Sequence, residues 1–564
     1  MALNAALATA GQALGIYTSG IQVANNNISN ANTPGYIRED LFLSANSPSL
    51  KGGLLVGTGV SADRIRQQID IFLEAQLHRA NSDALESQSR LDAYQHLEST
   101  LNELGESDLS TRMTDFIATI QEVVNQPESS SFRELVINEG ERLVTDIANL
   151  RDNLDNYRIT QSNQVTELVA EANRLIDQIA ELNLSISKLE AAGGLKSDAG
   201  PLRSKRYEAL NRLTEIIPVE FREDQNRSLN LYIGSEYLLI GGEKRYLETS
   251  LKVDRGLDAT DVRIAGIEKN VSLQGGEIKG VIEGRDQVVG GFIDQLDSYA
   301  SQIIFSFNKI HASGEGLKAF ETIRAETQIF DHATALNQLG LPFAPSHGSF
   351  QIKVTNQATD LTVTADINID LDGIGNDTSL EDLRASLDAL NGINATISPN
   401  GRLTLEADSG HDFRFGNDTS NVLSSLGINT FFTGHDSKTI GMNDVIRNDS
   451  AFLATARGAG PSDNSNAVAL AEFTDLARAE LGGNTLEDFY LSLISNLAQS
   501  TATESTLADG HTSFRSSLQS QREQMTGVSL DEETLKILEF QQAYQASARI
   551  ISTIDELFNT LINI

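Results

Sequence analysis

The sequence predicts a mainly α chain with β-rich inserts. The expected shape is an elongated multidomain rod whose terminal helices pair as a coiled coil, with a long helical bundle as middle domain and a small β-rich outer domain. Three observations carry that expectation. Apolar residues repeat at alternating steps of four and three at both ends of the chain. The same spacing runs through three long interior stretches. Two blocks between them show period-two alternation or dense apolar runs punctuated by glycine. At 564 residues, roughly three or four domains fit.

At the N-terminus, Leu3, Leu7, Ala10, Leu14, Tyr17, Ile21, Ala24 and Ile28 form one helical stripe, about 38 Å long at ~1.5 Å per residue. Most of the rest is Ala, Asn, Gln, Ser, Thr and Gly. Gly11, Gly15 and Gly20 each cost about 1 kcal/mol relative to Ala, so the isolated helix is marginal, but small residues let a neighbouring backbone come close. Asn26, Asn27, Ser29 and Asn30 then supply side chains that cap and turn a chain. Thr33, Pro34, Gly35 and Tyr36 stop the helix, which makes the segment a hinge.

Residues 69–104 keep the spacing through Leu73, Leu77, Ala80, Ala84, Ser87, Leu91, Tyr94 and Leu101, with Glu98 in the remaining slot. A longer stripe runs from Leu143 to Leu189, with consecutive fours around Gln161, a stutter that locally unwinds a supercoil. The block 217–285 is β-rich, with Val219, Phe221, Leu229, Leu231, Ile233 and Leu238. The block 345–435 alternates at Ile352 and Val354, Leu361 and Val363, and Ile367 to Leu371. It continues into a short helix at Leu380, Leu383 and Leu387 and a hairpin around Asn400-Gly401. Its twelve acids and four bases leave a net charge of −8, which suits an exposed outer surface. Residues Leu493 to Met525 return to the 4/3 pattern.

The last stripe is Ile537, Phe540, Tyr544, Ser547, Ile551, Ile554, Phe558 and Leu561, widened by Ile550, Leu557 and Ile564. Asp531, Glu532 and Glu533 open it, where acids complement the helix dipole. Two stripes of similar length at opposite ends suggest that the termini pair. Two ordinary amphipathic helices on separate cores would show the same period. The absence of any Asp, Glu, Lys or Arg before Arg38 favours packing among many chains. The expected domains are 1–36 with 526–564 as the terminal coiled coil, 37–340 with 440–525 as the helical bundle carrying the β-rich part at 217–285, and 345–435 as the insert.

The net charge of −35 argues against nucleic-acid and anionic-lipid partners. The absence of Cys excludes disulfides and thiol chemistry. No basic n-region precedes an apolar core at the start, so no cleaved signal peptide is expected, and no segment reaches about 18 apolar residues. Gly57-Thr58-Gly59 loosely fits a dinucleotide fingerprint but reads as a glycine-rich hairpin. Gly194-Leu195-Lys196-Ser197 lacks P-loop spacing. Asn368 to Gly373 begins like a calcium loop, yet Ser379 stands where the twelfth-position carboxylate belongs. The eight His are scattered, and His511, on a heptad stripe, reads as a buried, hydrogen-bonded residue. No catalytic residue, cofactor-binding residue or metal ligand is expected.

The run Asn25 to Tyr36 resembles the N-terminal signature of bacterial flagellar rod, hook and hook-associated proteins. Gly527 to Glu533 with Phe540 to Arg549 resembles the matching C-terminal signature. Gly275 to Gly280 with Glu283, Arg285 and Asp286, His311 to Gly314, and Gly460 to Ala467 narrow the resemblance to the hook-associated protein 1 family, the FlgK family. It covers roughly residues 1–320 and 440–564. The insert resembles the β-motif inserted in flagellins and related axial proteins. The resemblance implies a structural, self-assembling protein of the hook–filament junction, extracellular and exported by the flagellar type III route. It implies a helical ring of copies, contacts with hook protein and the second hook-associated protein, and an export chaperone at the C-terminal segment. The alternatives are a hook or distal-rod protein of the same superfamily, or an axial protein with an enzymatic insert.

Overall fold

The computed structural model describes residues 2–51, 53–102, 109–191, 197–225 and 227–562. Gly194, Leu195, Lys196 and Ile564 lie outside them. Two compact units emerge: 1–93 with 159–285 and 502–564, and 94–158 with 286–501. The chain is mainly helical with small antiparallel sheets, as the sequence predicts.

In the first unit, α1 (Ala2–Ser29) precedes four strands, β1 (Glu39–Ala45), β2 (Ser49–Lys51), β3 (Leu54–Val56) and β4 (Val60–Gln67). β1 pairs with β4 and β2 with β3, all antiparallel, giving a narrow arm. Gly57-Thr58-Gly59 is the turn into β4, and no helix opens on it. Helices α2 (Ile71–Asn102) and α4 (Ser130–Ala191) contribute to both units, α3 (Leu109–Asn125) belongs to the second, and α5 (Gly200–Ile216) follows in the first. Next come the strands β5 (Glu220–Glu223), β6 (Leu229–Ile233), β7 (Glu236–Ile240) and β8 (Glu243–Lys244), in one antiparallel sheet in that order. A separate ribbon pairs β9 (Leu247–Asp254) with β10 (Leu257–Ile264).

The core of this unit sets Val165, Ala172, Ile176 and Ile179 of α4 against Leu210 and Leu213 of α5 and Leu229 and Leu231 of β6. The β-rich block read as reaching residue 285 ends earlier, because Glu277–Glu283 is helix α6. Gly276 turns the chain into it at φ 89°. A Cβ at Gly280 would stand 2.3 Å from the Glu86 carbonyl oxygen of α2, so glycine lets the two helices lie in backbone contact. That packing accounts for the glycine spacing of the 275–280 motif.

In the second unit, a π turn (Gly284–Val289) leads into α7 (Gly290–Ala312). Phe307 of α7 meets Phe116 of α3 and Phe431, Phe432 and Phe473, with ring centroids 4.8 to 5.4 Å away. The insert holds β12 (Gly348–Asn356), β13 (Leu361–Ile369), α8 (Leu380–Asp388), β14 (Ile393–Ile397), β15 (Leu403–Ala407) and β16 (His411–Gly416), and β11 (Thr322–Arg324), which precedes it in the chain, pairs with β15. Its sheets run β13-β12-β16 and β11-β15-β14 over a core of Phe350, Ile352, Leu383, Leu405, Phe413 and Phe415. The expected hairpin joins β14 to β15, with Gly401 at φ 75°. Ser379 caps α8, its hydroxyl accepting the Asp382 N–H at 3.2 Å.

Two histidines are buried in neutral form. His311 Nδ1 lies 2.8 Å from the Asn429 carbonyl oxygen and so donates, while Nε2 accepts the Ala454 N–H at 3.0 Å. His78 Nε2 meets Asn211 Oδ1 at 2.7 Å. Burial lowers each from 6.5 to about 4. The folded state therefore binds fewer protons than the unfolded chain between these values. Their stabilisation is complete above the unfolded value and is lost as pH falls from about 6.5 towards 4, by up to about 3 kcal/mol per histidine. The urea midpoint is expected to be lower at pH 5 than at pH 7.5. An unchanged midpoint would contradict the buried neutral pair.

Candidate functional site: the paired terminal helices

Helix α1 and the C-terminal helix Leu530–Ile562 run antiparallel in heptad register. Asn27 meets Glu533, and Gly20 meets Phe540, one heptad further along in opposite directions. The approach is closest at Gly20, where a Cβ would stand 2.7 Å from the Phe540 ring. Tyr17 flanks that ring with centroids 6.4 Å apart. Gly20→Ala is expected to loosen the pair by about 1–3 kcal/mol through overpacking. The readout is faster amide exchange around residues 13–27; unchanged exchange would show that the ring accommodates the methyl group.

On the C-terminal helix, Glu533, Ser547 and Ile554 are buried, at intervals that are multiples of seven. Ile537, Phe540, Ile551 and Phe558 are half-buried, while Tyr544 and Leu561 are exposed. On α1 the buried positions are Ala10, Ile16, Gly20, Ala24 and Asn27. Leu3, Leu14, Ile21 and Ile28 are half-buried and Leu7 is exposed. The centre of the pair on α1 thus includes Gly20 and Asn27, one residue to the side of Ile21 and Ile28. Small residues admit the partner, and the larger ones line its flank.

The motif after α1 ties the ends together. Asn26 and Asn27 lie in the last turns of α1, which runs to Ser29. The Asn27 side chain is fully buried and uses all four of its hydrogen-bonding positions. Its Nδ2 donates to the Glu39 carbonyl oxygen and to Glu533 Oε2, both at 2.9 Å. Its Oδ1 accepts the Tyr36 hydroxyl at 2.9 Å and the Glu39 N–H at 3.1 Å. Asn26 Nδ2 donates to the Tyr36 hydroxyl, and Asn30 Nδ2 to the Asn26 carbonyl oxygen. The Ser29 hydroxyl donates back to the Asn25 carbonyl oxygen, and that of Thr33 to Asn30 Oδ1. Gly35 takes φ 72° in the turn completed by Thr33 and Pro34.

Ion pairs close the clasp. Arg38 Nε lies 3.0 Å from the buried Glu533 carboxylate and its Nη1 2.9 Å from Glu532. Lys536 reaches Asp40 at 2.5 Å and Glu533 at 3.3 Å. Burial pushes the Tyr36 hydroxyl pKa well up, with Glu39 and Glu533 adding to the effect. Burial likewise raises the Glu39 carboxyl, helped by Asp198. Arg38, Glu39 and Asp40 were not among the site residues expected from sequence. Their signal was present: they are the first charges after an uncharged start and face the acids of 531–533.

The other signature segments are structural joints. Asp463 accepts the N–H groups of Arg457 and Ser465, and the buried Asn466 donates to the Ala454 carbonyl oxygen. His511 is half-buried, its Nδ1 3.0 Å from the Ser87 hydroxyl. Three exposed side chains, His347, Asp370 and Asp372, bring ligand atoms within 4.8 Å of one another in the calcium-like loop. Asp372 and Asp377 there accept the N–H groups of Ile374 and Gly373. Among the described residues no helix is long and apolar enough to cross a membrane.

An uncharged first helix is thus clasped antiparallel by the last helix, with an Asn-rich turn as the lock. Residues 519–564 match the family model described as the flagellar basal body rod FlgEFG protein C-terminal. Residues 94–322 match the flagellar hook-associated protein FlgK helical domain. Flagellar hook-associated protein 1 of Escherichia coli K12 is 26% identical over 96% of both chains. That of Bacillus subtilis 168 is 24% identical over 99% of this chain and 97% of its own. The solved flagellar hook junction protein FlgK from Burkholderia pseudomallei shares the fold, with a TM-score of 0.53 at 13% identity, over 81% of this chain and 100% of its own. The chain is similar to flagellar hook-associated protein 1 over nearly its whole length, and these matches support a structural protein of the bacterial flagellum.

Proposed function

We propose that this chain self-assembles into the junction between flagellar hook and filament, and that its terminal helices complete their packing only there. One observation carries the reading. The helix pair remains apolar on its outside, with Leu535, Leu538, Ile550, Leu557 and Leu561 between 49% and 68% exposed. A helix apolar on several faces needs further neighbours. Neighbouring copies supply them, in a ring whose contacts include Leu3, Leu7, Leu14, Ile21 and Ile28 on α1. Ordering at the point of assembly couples helix formation to binding and discourages premature polymerisation.

Hook protein on one side and the second hook-associated protein on the other complete the set of axial partners. An export chaperone covers the C-terminal apolar face before secretion. The chain acts without catalysis. Deleting its gene is expected to leave hooks on the cell and release filament protein into the medium. Loss of the hooks themselves would assign the chain to the hook or distal rod instead.

A further inference from the structure

The outer end of the arm has no core of its own. Phe42 and Leu43, at the register shift of the β1–β4 pair, are 46% and 42% exposed. At the tip, Leu50, Leu54 and Leu55 are 72%, 71% and 72% exposed. The ribbon rests on α1, where a Cβ at Gly59 would stand 2.5 Å from Thr9 Cγ2, but its tip leucines stay uncovered, and clustered apolar side chains mark a contact surface.

The same unit contains a recess of about 530 Å³ between the start of α2 and the strands β5 and β6. Ile71 and Phe221 supply apolar wall. Two buried lining groups, His78 Nδ1 and Ser82 Oγ, have no hydrogen-bond partner among the described residues. The rim carries Asp83 and Glu220 against one cation, Arg79. Between residues 46 and 59 the only ionisable residue is Lys51, a cation. On a chain of net charge −35, this is a segment that a second copy can receive without like-charge repulsion.

We propose that the recess receives the arm tip of a second copy of this chain. The tip leucines fill the apolar walls, and the single cation of the tip, Lys51, complements the acidic rim of Asp83 and Glu220. Projection and recess occupy different places on one chain, so the contact is heterologous and propagates around a ring or along a helix. This rests on the self-assembly reading above.

The chain has no Cys, which permits a direct test in assembled flagella. Two full-length chains are co-expressed, one carrying Leu54→Cys and the other Ala75→Cys, and treated with a short bis-maleimide. A cross-linked dimer is expected with the mixed pair, absent with either variant alone, and reduced at least tenfold when Leu50→Asp and Leu55→Asp are added to the first chain. A long lysine-reactive reagent on the same flagella reports assembly itself. Oligomers with that reagent but no cross-link between positions 54 and 75 overturn the docking alone. Oligomers with neither reagent overturn self-assembly and the docking with it.

Discussion

Replacing Asn27 with Asp is expected to uncouple the two ends of the chain. The substitution keeps the size and shape of a side chain that is fully buried, so packing is not the variable. It removes both Nδ2 donors, one to the Glu39 carbonyl oxygen and one to Glu533 Oε2. It also sets a second carboxylate against the buried carboxylate of Glu533. Arg38 and Lys536 already serve Glu533 and neighbouring acids, so the new charge gains no cation of its own. An uncompensated buried charge of this kind costs about 3–5 kcal/mol. Amide protection of residues 13–29 and 530–547 in the variant is expected to fall to that of isolated helices. Wild-type protection would show that the clasp at Asn27 does not hold the pair.

Ile554→Asp is expected to abolish incorporation into flagella. Ile554 is 6% exposed on the seam, one heptad beyond Ser547. A carboxylate there removes a fully buried apolar side chain, at about 2–5 kcal/mol for truncation alone, and adds the cost of desolvating a charge. Because about 1.4 kcal/mol is a factor of ten in occupancy, even the low end reduces assembly more than tenfold. Ile551→Asp and Phe558→Asp, at half-buried seam positions, act in the same direction with smaller effect. The phenylalanine cluster around Phe307 belongs to the other unit, and its thermal unfolding is expected to be unchanged. Normal junctions built from Ile554→Asp chains would remove the terminal pair from the assembly mechanism.

Helical period was legible in the sequence; helical phase was less so. The stretch read as 69–104 is α2, Ile71–Asn102, and the 143–189 stripe lies inside the single helix α4. Within these helices the buried face follows most of the stripe but slips by a residue or two in places. In α2 it passes from Leu91 to Ala93 and Leu97, leaving Tyr94 and Glu98 on the flank. In α4 beyond the stutter it follows Ala172, Ile176, Ile179 and Ile186, while Leu189 is exposed. In the Leu486–Thr526 helix, Ala508 is buried and the neighbouring Leu507 exposed. The reason is the same as at Gly20. Which of two adjacent residues faces the partner depends on what the partner inserts, and Phe540 needs the space that only glycine leaves.

The site was legible as composition and hidden as connectivity. Asn26, Asn27, Ser29 and Asn30 read as turn-formers because such side chains bond locally, and those of Asn30 and Ser29 do. Asn27 instead bonds to a carboxylate 506 residues away, which no local pattern encodes. Glu533 read as a dipole-complementing acid at a helix start, whereas its burial beside Arg38 makes it the receiving half of the clasp. Helix α6 was missed because its glycines look like strand punctuation until α2 is laid against them.

Hydrogen exchange of the terminal helices, in the free subunit and in isolated hook–filament structures, tests the central claim most directly. Residues 2–29 and 530–562 are expected to show only the partial protection of the clasped pair in the free chain and to gain strong protection on assembly, while α7 is strongly protected in both. Equal protection of the termini in the two states would contradict the account.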